Sequence, residues 1–112
     1  MNVEQTIIQA LGSMGYSAYA DAPNPHPETF VTVERTGGGA RDCVDASQLA
    51  VQVWAGRRKE AADMADAVAR DLESLTGTLG LGRVSVQSIY NWPDPQSRMA
   101  RYQLTVAATA HV

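Results

Sequence analysis

The sequence predicts an α+β domain over residues 1–112: a mainly antiparallel sheet of four to five strands with two helices packed on one face, in the order α-β-β-β-α-β-β. Three observations lead there. Two segments carry apolar residues at spacings of three and four, the period of one helical face. Five segments read instead as strands, by alternation or as a short edge, so strands outnumber helices. No strand-helix-strand series of the parallel kind and no internal repeat occurs, which leaves an antiparallel sheet covered by the helices.

Helix one is predicted from Asn2 to Met14, where Val3, Ile7, Ile8, Leu11 and Met14 share a face. Asn2 suits the N-cap with Gln5 three residues on, and Gly15 suits a left-handed stop. Tyr16 to Ala20 reads as a short edge strand. The segment 21–27 holds three prolines in five residues, which remove backbone donors and exclude both helix and central strand. From Thr29 to Thr36, Phe30, Thr32 and Glu34 alternate with Val31, Val33 and Arg35, as in a strand. Gly37, Gly38 and Gly39 predict a flexible hairpin loop that runs to Asp45; a phosphate cradle would need a following helix N-terminus or a Lys, and neither is there.

A strand is predicted from Ser47, with Leu49, Val51 and Val53 on one face and Gln48, Ala50, Gln52 and Trp54 on the other. After Gly56, the stripe Ala61, Met64, Ala65, Val68, Leu72 and Leu75 predicts helix two, with a solvated face of Glu60, Asp63, Asp66, Arg70, Asp71 and Glu73. Gly77, Gly80 and Gly82 predict a loop. Strands over 83–91 and 98–110 then form a hairpin closed by the proline-stiffened turn from Trp92 to Pro95.

Composition narrows the function. Hydrophobic residues make up 45% and charged residues 19% of the chain, as in ordinary soluble domains. With only one Phe, two Trp and four Tyr, and with Ala supplying much of the apolar share, the core is expected to be thin. A net charge of -3 argues against grip on nucleic acid through phosphates, which calls for a basic stripe. Cys43 stands alone, so an intramolecular disulfide and a multi-cysteine zinc site are excluded, and a reducing cytoplasm is expected. No apolar run approaches the roughly 20 residues of a membrane helix.

Constellations for catalysis are missing. His26 lies in the Pro-rich segment and His111 beside the C-terminus, and neither position offers the rigid support a general base needs. Arg41 near Cys43 favours a thiolate, but Asp42 and Asp45 oppose it. These two acids read as a solvated loop, because Ca²⁺ wants six to eight oxygens. No metalloprotease, nucleophile-elbow, C-x-x-C or dinucleotide motif occurs. A protein without catalysis, cofactor or metal is expected.

Two features point to contacts with other proteins. Arg57, Arg58 and Lys59 sit at the start of helix two, where the positive end of the helix dipole favours acids. Glu60, Asp63 and solvent offset this misplacement, or a carboxylate from a neighbouring subunit does. Trp54 lies on the polar face of its strand, either packed under a loop or in an interface, and Trp92 lies at a hairpin tip. The interface candidates are therefore Trp54, Arg57, Arg58, Lys59, Asp63, Asp66 and Trp92, with Arg41 and Asp42 in the glycine-rich hairpin.

The passage 49–65, LAVQVWAGRRKEAADMA, resembles the tail terminator (tail completion) proteins of long-tailed bacteriophages. In that group a strand ends in an aromatic, turns a short polar corner and enters a helix with an acid-Ala step. The last strand with RYQLTVA at 101–107, and helix one ahead of a Pro-rich loop, are also similar. The resemblance implies a homo-oligomeric ring, typically a hexamer, that stops tail-tube growth and presents a surface for the head. It implies as partners the chain itself, the tail tube protein and head-tail connector proteins, with DNA passing through unbound, and a place in the virion tail after assembly in the host cytoplasm. Other neck or minor capsid components share similar layouts. A small ligand- or peptide-binding module using the open sheet face is the alternative reading of the residues.

Overall fold

The computed structural model describes residues 1–111. Its elements are α1 (Val3–Ser13), β1 (Ala18–Tyr19), β2 (Phe30–Arg41), β3 (Val44–Ala55), α2 (Arg58–Glu73), β4 (Leu81–Asn91) and β5 (Ala100–His111). The class and the order are those the sequence predicts. The sheet runs β1-β2-β3-β5-β4. Every pairing is antiparallel except β1 with β2, which is parallel.

Helix α1 begins where Asn2 Oδ1 accepts from the Gln5 N–H at 3.0 Å, which satisfies one of the donors a helix start leaves free. It ends at Gly15, whose φ of 102° is open only to glycine at low cost. Val3, Ile7, Ala10 and Leu11 face inward from α1, and Ala61, Ala65, Val68 and Leu72 from α2. All of them but Ala61 form one buried cluster with Val31, Val33, Leu49, Val51, Val53, Leu104 and Val106, so the core lies between the helices and one sheet face. Among the described residues no helix is long and apolar enough to cross a membrane.

The glycine-rich segment differs from its sequence reading. Gly37, Gly38 and Gly39 are strand, not loop: they pair with Gln48, Ser47 and Ala46, and the turn shrinks to Asp42 and Cys43. Both turn residues have positive φ, 52° and 66°, as a two-residue hairpin turn of the primed type requires. Glycine breaks a hydrophobic pattern without breaking a ladder, because backbone hydrogen bonds do not depend on a side chain. A register shift between Arg35 and Gly37 bends β2 here, and the Arg35 N–H at the bend donates to Glu4 Oε2 of α1 at 2.8 Å.

Asp45 is likewise not a solvated loop acid. It lies in β3, 7% exposed, and pairs with Arg35 at 3.1 Å. The Arg35 side chain is 36% exposed and that of Asp45 only 9%, so removing the arginine strands a buried carboxylate. Arg35→Ala is expected to cost about 2 kcal/mol, below the range for fully buried pairs because water reaches one partner. Chemical denaturation of Arg35→Ala beside Arg35→Lys tests this, and equal stability of all three proteins refutes it.

The face away from the helices is polar. Its alternating positions include Ala46, Gln48, Ala50 and Gln52 on β3 and Gln103, Thr105, Ala107 and Thr109 on β5, none charged, with Glu34 of β2 opposite Ala50 and Arg101 of β5 opposite Trp54 as the charged residues beside them. A belt of hydrogen bonds crosses it. Thr32 donates to Gln52 Oε1 at 3.3 Å, Gln52 Nε2 to Gln103 Oε1 at 2.9 Å, and Gln103 Nε2 to the Tyr90 hydroxyl at 2.6 Å. The free edge at β4 is also partly closed from within. The Val84 N–H donates to Thr76 Oγ1 at 3.0 Å and the Val86 N–H to Glu73 Oε2 at 3.1 Å, which withdraws donors a neighbour's strand would use.

Between α1 and α2, the Tyr16 hydroxyl donates to Asp71 Oδ2 at 2.6 Å. Burial first, then the bond to Asp71, pushes the Tyr16 pKa up to about 12. The folded state therefore holds this proton more tightly than the unfolded state, whose tyrosine titrates near its ordinary value of about 10. The bond's contribution is full below about pH 10 and is lost as pH rises to about 12. Tyr16→Phe is expected to cost about 1 kcal/mol at neutral pH and to flatten this alkaline decline. Unfolding curves between neutral pH and pH 11 give the result, and the same alkaline slope in both proteins overturns it.

Candidate interaction site

Most of the predicted contact residues gather at one end of the sheet, where β3 runs out and α2 begins. Arg57 is the N-cap of α2, in an extended conformation, and its side chain makes no capping bond. Arg57, Arg58, Lys59 and Glu60 are all exposed. Lys59 Nζ lies 2.9 Å from Asp63 Oδ2, one turn along, and this bond holds the lysine above its ordinary pKa. With side chains 87% and 68% exposed, the pair adds little to stability. Asp63 thus offsets part of the basic corner from within, while Arg57 and Arg58 have no ion-pair partner among the described residues. Asp66 is exposed further along the same helix.

Trp54 realises the first of its two expectations, packing under a loop. It is 5% exposed and stacks on Phe30 with ring centroids 5.0 Å apart, and His26 of the Pro-rich segment stacks over both rings at 5.4 and 6.2 Å. Its indole N–H donates to Thr32 Oγ1 at 3.2 Å. Burial of Trp54 removes it from any direct contact surface of this conformation. The polar neighbours Gln48, Ala50 and Gln52 suggested an outward residue, but the chain between β1 and β2 folds back over that end of the sheet.

Trp92 stands 46% exposed at the start of the last turn. The Arg101 guanidinium lies between the two indoles, 4.9 Å from the Trp54 ring and 4.8 Å from the Trp92 ring, and its Nε donates to the Trp92 carbonyl at 2.8 Å. A cation between two aromatic faces is attracted by both and fixes the exposed tryptophan to the buried one. Within the turn Asp94 accepts from the Gln96 N–H at 3.1 Å, which holds its carboxyl below the ordinary range.

Beside these residues opens a cavity of about 510 Å³, lined by His26, Pro27, Glu28, Arg57, Glu60 and Met99, with Ser97 on its wall. Three separate segments build it: the Pro-rich loop, the corner into α2 and the β4–β5 turn. Arg41 and Asp42 are not part of this cluster. They lie at the other end of the sheet, 11 ladder steps away from Ala55↔Ala100 to Val44↔His111, or roughly 36 Å at the usual strand rise. Sequence reasoning missed His26, Glu28, Arg101 and Met99 as site residues. Only the strand register, which sets Arg101 opposite Trp54, would have drawn Arg101 in. Among the described residues there is no group of three or more His, Cys, Asp or Glu placed to hold a metal ion.

Fold and site together define a small α+β protein whose charged and aromatic contact groups lie at the two ends of one sheet. No family model and no curated protein matches the chain. Among solved structures it is similar to a chain in the "virion of native gene transfer agent (GTA) particle", with a TM-score of 0.66 and 15% sequence identity, over 100% of this chain and 89% of that one. At that identity the likeness is one of fold.

Proposed function

We propose that this protein is a structural component of a phage-type virion, and within that class a ring-forming subunit of the tail that closes the tail tube and offers a surface to the head. The full-length fold likeness to a chain of a gene transfer agent virion is the observation that supports it most. The strand-to-helix passage that resembles tail terminators agrees with it, as do Arg57 and Arg58, exposed and without an ion-pair partner among the described residues. The proposed role is non-catalytic and needs no cofactor; the partners are further copies of the chain and the tail and connector proteins on either side.

Size exclusion with light scattering and negative-stain imaging, on the protein alone and with isolated tail tubes, is expected to show rings or subunits that assemble at tube ends. A strict monomer that leaves tube ends uncapped refutes the reading. In the same assay, Arg57→Glu with Arg58→Glu is expected to weaken association while changing stability by no more than about 0.5 kcal/mol, as surface substitutions do. Equal damage to folding refutes a contact role for the corner.

A further inference from the structure

We infer that the β2–β3 hairpin tip of one copy seats in the cavity between the Pro-rich loop, the start of α2 and the β4–β5 turn of the next copy. The inference deepens the ring reading and rests on it for closure of the ring, while the contact itself can be tested separately. The tip carries Arg41 and Asp42 side by side, both exposed and without an ion-pair partner among the described residues. The cavity carries Arg57, the N-cap of α2, and Glu60 in its first turn, both on the lining and again exposed and unpaired in the same sense. Asp42 against Arg57 and Arg41 against Glu60 satisfies all four charges at once.

Shape agrees with charge. The part that enters is small: only Asp42 and Cys43 lie beyond the last ladder pair Arg41↔Val44, where β5 also reaches its His111 opposite Val44. The cavity, about 510 Å³, is in the size range that takes a few side chains. Tip and cavity stand at opposite ends of a body measuring 43 × 24 × 23 Å, so one copy cannot fill its own site. A contact between two different patches is head-to-tail, the kind that closes into rings.

The test is a reciprocal charge exchange. A tip variant, Arg41→Glu with Asp42→Arg, and a cavity variant, Arg57→Glu with Glu60→Arg, are each expected to weaken self-association at least about tenfold in sedimentation, since each sets like charges together. An equimolar mixture is expected to regain it, because every tip then meets a matching cavity in alternation. Circular dichroism and thermal unfolding confirm that both variants fold. Association of the tip variant at parental strength, or a mixture no stronger than its components, overturns the inference.

A second measurement uses the lone cysteine, which sits in the tip. In Ser97→Cys the new thiol lies on the cavity wall, too far from Cys43 of the same copy for the 4.4–6.8 Å Cα separation usual in a disulfide. Mild oxidation is expected to give a ladder of linked copies that vanishes in Cys43→Ala with Ser97→Cys. Rings without recovery on mixing sink this contact and leave the ring reading standing; recovery and a ladder without capping of tube ends sustain the contact and sink the terminator role.

Discussion

Trp54→Ala is expected to remove about 3–5 kcal/mol of stability, the range for deleting a large buried aromatic. The indole is 5% exposed and joins three parts of the molecule: Phe30 on β2, His26 of the Pro-rich loop and the guanidinium of Arg101 on β5. Its loss leaves a cavity, unseats the loop and frees one side of Arg101, whose remaining stack on Trp92 is solvent-exposed. Small domains have about 5–15 kcal/mol in total, so such a loss brings the chain close to unfolding. Trp54→Phe keeps an aromatic stack but loses the N–H to Thr32 and part of the buried ring, and about 1–2 kcal/mol is expected for it. Denaturant titrations of the three proteins decide the matter. If Trp54→Ala keeps parental stability and weakens only self-association, the residue belongs to an interface after all.

Gly38→Val carries the second large expected effect, a loss of about 3 kcal/mol from positive-φ strain and overpacking together. Two independent facts exclude a side chain at this position. Its φ is 108°, in the region left to glycine, and a Cβ there runs into the Ala46 carbonyl across the ladder. The contact is with backbone, so no rotamer change relieves it. Neighbouring Gly37 and Gly39 have open space at the Cβ position and ordinary φ, which makes Gly39→Ala a matched control expected to change stability by less than about 1 kcal/mol. Hydrogen exchange of the β2–β3 amides reads where the damage falls: Gly38→Val is expected to open the arm beyond Arg35 and spare the core ladder around Val51. Equal protection in both variants contradicts this account.

These two positions also mark what the sequence could and could not convey. The helices were legible because Val3, Ile7 and Leu11, and Ala61, Ala65, Val68 and Leu72, repeat with the helical period and each set buries one stripe. The β3 pattern was legible from Leu49, Val51 and Val53 for the same reason with period two. Alternation reports burial, however, and the outer half of the β2–β3 hairpin is barely buried. From Glu34 to Arg41 every β2 residue is exposed, so no hydrophobic signal marks that half of β2 as strand. Asp45 escaped for the opposite reason: it is a buried acid whose partner, Arg35, is identified only once the hairpin register is known.

Of the candidate site, the basic corner was visible as a breach of the dipole rule at Arg57, Arg58 and Lys59. The cavity beside it was not visible, because His26, Arg57 and Met99 come from three distant stretches of chain. Trp54 was misleading in an instructive way. Its polar strand neighbours described the face correctly, but a proline-rich segment with no periodicity of its own gives no sign of which surface it covers.

The uncharged belt from Thr32 through Gln52 and Gln103 to Tyr90 bears on how this protein responds to its medium. Screening acts on charges, with a range near 10 Å at 0.1 M salt, and leaves neutral hydrogen bonds almost untouched. The belt itself will therefore behave alike in dilute and concentrated electrolyte, while Glu34 beside it, the exposed acids of α2 and the two charged ends of the molecule will not. Ionic strength becomes a locating device: whatever is released from this protein by added salt was held by its charged groups, and whatever stays was held on the neutral belt.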